Sequence, residues 1–65
     1  MNKFYVAYWY NDEWGEVSQV FDGGDALTKA NKWLSEHAKE SHRKQVVDFT
    51  SRAAAEDYTK YGMTM

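Results

Sequence analysis

Seven of the chain's eleven aromatic residues lie between Phe4 and Phe21: Phe4, Tyr5, Tyr8, Trp9, Tyr10, Trp14 and Phe21. Aromatic and β-branched residues favour strands, so residues 3–10 are expected to form one. Alternation then puts Phe4, Val6, Tyr8 and Tyr10 on one face and Tyr5, Ala7 and Trp9 on the other. A two-stranded segment cannot hide seven rings on one face. The first set, with Phe21, is the better core candidate. Tyr5, Trp9 and Trp14 are the surplus.

The rest of the chain limits where that segment can fold. Residues 11–15, Asn-Asp-Glu-Trp-Gly, have turn chemistry, with Asn and Asp bonding back to local backbone and Gly15 free to take positive φ. Residues 16–21 form a second strand, with Val17 and Phe21 sharing the core face. Asp22-Gly-Gly-Asp25 is a break, and the Asp25 carboxylate is an N-cap candidate. Ala26, Leu27, Ala30, Trp33, Leu34, His37 and Ala38 follow at offsets that fit an amphipathic helix over 26–39.

Residues 40–44 read as a polar connection and 45–49 as a third strand, with Val47 and Phe49 opposite Val46 and Asp48. Thr50 or Ser51 can cap a second helix over 52–61, with Ala54, Ala55, Tyr58 and Tyr61 as its buried stripe. Gly62 would end it and residues 63–65 would be a loose tail. The expected fold is one α+β domain over residues 1–65. It has a small three-stranded, mainly antiparallel sheet in the order β-β-α-β-α, with both helices on one face and the Tyr5–Ala7–Trp9 face open.

The layout of a hairpin followed by an Asp25-led helix, with Ala30 and Trp33 turned inward, resembles several small β-β-α-containing domains, among them phage-integrase arm-binding domains. The resemblance is one of spacing. Those domains are basic and this hairpin is acidic, so it implies a layout and not DNA binding.

Sixty-five residues without cysteine must draw stability from large side chains or from oligomerisation. The lack of cysteine fits a reducing compartment, and neither a signal-like segment nor an apolar run near 20 residues is visible. A cytoplasmic setting away from membranes is the expectation. The net charge of −2 hides an asymmetry: residues 1–25 carry five acids against Lys3, and residues 26–65 carry seven Lys and Arg against five acids. The aromatic half is therefore the acidic half, the reverse of what phosphate binding favours.

Catalytic parts are wanting. There is no Cys, no Ser in a nucleophile-elbow setting, and adjacent acids such as Asp12–Glu13 and Glu56–Asp57 point apart. His37 and His42 with Glu36 and Glu40 offer a metal site in principle, but His37 on the helix's inner edge and His42 in a solvated loop is the better reading. Lys39, Arg43, Lys44 and Arg52 make a basic grouping that reads as a solvated face. No enzyme activity, cofactor or metal is expected.

The function expected is therefore non-catalytic protein binding. The acidic aromatic hairpin, with Tyr5, Trp9 and Trp14 as anchors and Asp12, Glu13 and Glu16 as an acidic rim, would contact a protein partner. A small accessory protein of a phage or mobile element that inhibits a host factor fits that description. Two alternatives stand beside it. The rings could stack on single-stranded nucleic acid, or a homodimer mate, the second helix or the tail could cover them.

Overall fold

A computed structural model of the chain describes residues 3–38 and 43–61. The elements follow the order β1 (Phe4–Tyr10), β2 (Gly15–Val17), α1 (Ala26–His37), β3 (Arg43–Phe49) and α2 (Arg52–Tyr61). The three strands form one antiparallel sheet in the order β2-β1-β3, an α+β fold. Lys39, Glu40, His42, Gly62 and the tail, to which capping, metal or connection roles were given above, lie outside the described residues.

β1 is central and its two faces belong to different helices. Ala7 and Trp9 pack with Phe21 and with Ala26, Ala30 and Leu34 of α1; Tyr5, Trp33, Ala38 and Val46 border this core. On the opposite face, Tyr58 of α2 meets Tyr8 at 6.1 Å and Phe49 at 5.4 Å between ring centroids, and Arg52 lies over the Phe4 ring. Val6 and Ala55 are fully buried there. The two helices thus lie one on each face, not together.

Width explains this correction. Strands about 4.8 Å apart put the outer two of three only about 10 Å apart, and one helix is itself about 10–12 Å across. One helix is therefore about as wide as this sheet and covers most of a face. α1 must cross β1, because the strands it joins flank β1. It crosses on the Tyr5–Ala7–Trp9 face, expected to be open, where Ala7 and Trp9 meet Ala26, Ala30 and Leu34.

A second correction concerns β2, which regular pairing limits to Gly15–Val17. Tyr8 pairs with Val17, but Tyr5 pairs with Phe21. Three steps on β1 correspond to four on the other side, so residues 18–20 contain a bulge. Ser18 occupies it. Its N–H donates to Ala7 O at 2.8 Å, while its side-chain Oγ, in place of its carbonyl, accepts the Ala7 N–H at 2.8 Å. The extra residue inverts the alternation, so Val17 shares the Tyr8 face and Phe21 the Trp9 face, not one common face.

Smaller differences have local causes. The 11–14 loop closes without positive φ at Gly15, because Asn11 Oδ1 accepts the N–H groups of Glu13 (2.8 Å) and Trp14 (2.9 Å). Asp25 precedes α1 but makes no side-chain cap bond; its carboxylate faces Lys29 Nζ at 3.5 Å. Positive φ is used at Gly23 (99°), in the turn into α1. Ser51 does cap α2, its Oγ accepting the Ala54 N–H at 3.1 Å. Ala54, Tyr61 and Leu27 are exposed, because a narrow sheet buries a narrower helical stripe than the sequence pattern offers. His37 is exposed too, stacked on Trp33 with centroids 4.3 Å apart. β3 starts earlier than expected, with Arg43 and Lys44 already paired to Tyr10 and Trp9.

Candidate interaction site

The six residues expected to bind a partner divide into two groups. Trp9 is only 3% exposed, beneath α1. Its indole Nε1–H donates to Glu16 Oε1 at 3.0 Å, which explains how a polar ring edge is accommodated in an apolar core. Across the sheet, Glu16, Trp9 and Lys44 stand abreast on the α1 face. Tyr5 is half-buried against the same core, and its backbone exchanges both hydrogen bonds with Phe21. Trp9 therefore cannot serve as a surface anchor, Tyr5 is only partly exposed, and Glu16 is engaged in holding Trp9.

Asp12, Glu13 and Trp14 remain together at the hairpin tip, and all three are exposed. Trp14 keeps 61% of its surface in solvent. It is not free to swing, because one edge of the ring system meets Trp9 in a T-shaped contact, with centroids 5.5 Å apart and planes at 75°. The loop that carries it is fixed by the two Asn11 side-chain bonds and by Asn11 N–H donating to Trp14 O at 2.9 Å. Neither the Asp12 nor the Glu13 carboxylate has an ion-pair or hydrogen-bond partner among the described residues. The tip is thus an indole backed by a buried indole, beside two uncommitted carboxylates.

The basic grouping does not assemble. Arg43 and Lys44 lie at the hairpin end of β3, whereas Arg52 lies at the other end of the sheet, paired with Asp22 and 3.6 Å from Glu56. Among the described residues no three His, Asp or Glu side chains converge as metal ligands, and no helix is long and apolar enough to cross a membrane.

The sequence reading missed the tyrosine stack on the α2 face. Tyr10 and Tyr8 lie 6.2 Å apart at 21°, and the Tyr8 hydroxyl donates to Gln45 Oε1 at 3.0 Å. Its sequence signal is the even-numbered aromatic run Phe4–Tyr8–Tyr10. Comparison with protein-family models, with curated proteins and with solved structures returns no match.

Proposed function

We propose that this chain is a non-catalytic interaction module that docks on a protein partner through its hairpin tip. One observation carries the reading: Trp14 is 61% exposed yet held in place by Trp9 and by the Asn11-bonded loop. An exposed large ring costs little entropy to bury when it is already fixed, and tryptophan is the residue most enriched at interface hot spots. Asp12 and Glu13 flank it, so the complementary site is basic at its rim and apolar at its centre. Such a site is what a nucleic-acid-binding protein presents. An indole can replace a base and carboxylates can replace phosphates, which makes inhibition by occupancy the functional consequence. Both sheet faces carry a helix, which argues against base stacking on the sheet.

The test is affinity capture from nuclease-treated host lysate with the wild-type chain and with Trp14→Ala. The reading requires a protein retained by the first and lost by the second. Oligonucleotide binding that weakens steeply with salt, with no protein retained, would replace it by the nucleic-acid reading.

A further inference from the structure

We infer that β3 is a self-association edge, pairing antiparallel with β3 of a second copy about a two-fold axis at Val46. This goes beyond the hairpin tip and does not depend on it.

The two edges of the sheet differ. β2 has three residues and runs into the Ser18 bulge, a feature that discourages further pairing. β3 has seven residues in unbroken register with β1, and no strand among the described residues pairs with its outer side. The direction of its backbone groups follows from the ladder. Tyr5 and Ala7 turn their N–H groups to the β2 side, to Phe21 O at 2.9 Å and Ser18 Oγ at 2.8 Å. Alternation then turns Phe4, Val6, Tyr8 and Tyr10 toward β3, where Phe49, Val47, Gln45 and Arg43 are their partners. Lys44, Val46 and Asp48 are left presenting N–H and C=O at the open edge.

Those three residues read Lys-Val-Asp on the α1 face. With the axis at Val46, Lys44 lies opposite Asp48 of the second copy, Asp48 lies opposite its Lys44, and Val46 meets Val46. Each pair exchanges two backbone hydrogen bonds. Moving the axis to Lys44 or to Asp48 sets like charges against each other, which is unfavourable. Charge thus disfavours those two registers, and only the Val46 register sets both Lys44 and Asp48 opposite their counter-charge. Asp48 already accepts from Lys3 Nζ at 3.0 Å, and a carboxylate has lone pairs for a second cation.

The helix above the edge is shaped consistently. Asn31, Leu34 and Ser35 of α1 line the shallow groove shared with Lys44, Gln45 and Val46. Leu27 continues that flank one turn earlier and is 49% exposed. No charged residue lies on it. Lys29, Lys32 and Glu36 all lie on the opposite flank, beside Gln19 and Phe21. A second copy at β3 brings the two uncharged flanks together on one side of a continuous six-stranded sheet, while the two hairpin tips point to opposite ends.

Sedimentation equilibrium from micromolar to near-millimolar concentration tests this, with circular dichroism to confirm folding. The wild-type mass should rise from one chain to two. Lys44→Glu and Asp48→Lys should each weaken dimerisation about tenfold, since two symmetric attractive pairs become repulsive. Mixing the two variants should restore dimers of near wild-type affinity, because both cross-strand pairs are then opposite in charge. A wild-type chain that stays monomeric throughout, a species larger than two copies, or a mixture no tighter than either variant alone would overturn the proposal.

Discussion

Ser18 stands in for a backbone acceptor. Its hydroxyl takes the N–H of the fully buried Ala7 and donates its own proton to Gln19 O at 2.8 Å, so one buried oxygen serves both sides of the bulge. Ser18→Ala leaves that amide without its acceptor, and a buried unmade hydrogen bond costs about 1–3 kcal/mol. Urea denaturation should show that loss; a change below about 0.5 kcal/mol, the range of ordinary surface substitutions, would mean that the Ser18 carbonyl can swing in and restore regular pairing. Trp14 makes a different prediction at the same scale. Trp9 is enclosed and Trp33 half-buried, so Trp14 should dominate collisional quenching by iodide. Trp14→Phe should remove most of the quenchable emission with little change in stability. Persistence of the quenching would assign the accessible emission to Trp33 or Trp9 and not to Trp14.

At the level of elements, α2 depends on Tyr58, which joins Tyr8 to Phe49. Burial pushes the Tyr58 phenol above its ordinary value, and the neighbouring Tyr8 adds to the shift by charge and hydrogen bonding. A raised folded value means that the folded state holds this proton more tightly than the unfolded chain. The associated stability is complete below the unfolded phenol value of about 10 and is lost as pH rises through the higher folded value. Tyr58→Phe should therefore be less sensitive to alkaline pH than wild type in thermal melts, and equal slopes would place Tyr58 in water. Lys3 and Asp48 act on the sheet from outside. The hydrogen bond between them, then their mutual charge, raises Lys3 and lowers Asp48. That pair supports β1–β3 pairing in the wide range between the two titrations, fading in acid as Asp48 protonates and in strong alkali as Lys3 loses its proton. Most of these elements were legible in the sequence. The α1 start and the β3 alternation follow from the period, and the α2 start from the period and the Ser51 cap. The bulge was not, because Glu16 to Phe21 alternates plausibly and only the register with β1 reveals the additional residue. The burial of Trp9 was missed for a related reason. Alternation assigns two faces but not which helix covers which. At the tip, folding back and projecting were equally open for Trp14 from sequence, and it does both: it rests on Trp9 yet stays exposed, because a hairpin loop has few neighbours to hide it.

For the whole molecule, the consequence of one helix per face is that β1 belongs to two cores at once. Its odd-numbered residues Ala7 and Trp9 serve the α1 side, and Val6 serves the α2 side with no more than one bond-turn of backbone between them. A 65-residue domain has roughly 3–10 kcal/mol of stability in total, so neither core can lose much before the shared strand fails. Leu34→Ala on the α1 side should cost about 2–5 kcal/mol, and Val6→Ala, which removes two buried methyl groups and leaves a small cavity, about 2 kcal/mol. The tryptophans make the coupling measurable. Trp9 and Trp33 border the α1 core and Trp14 rests on Trp9, so none of the three reports on α2 directly. If the faces were independent, Val6→Ala would loosen α2 and leave the tryptophan transition where it was. Sharing of β1 requires instead that Val6→Ala lower the unfolding midpoint seen by tryptophan fluorescence and by far-ultraviolet circular dichroism equally, as one cooperative transition. Separated midpoints would show that α2 detaches by itself, leaving Val6 and Tyr8 as an exposed face on an otherwise intact α1 core.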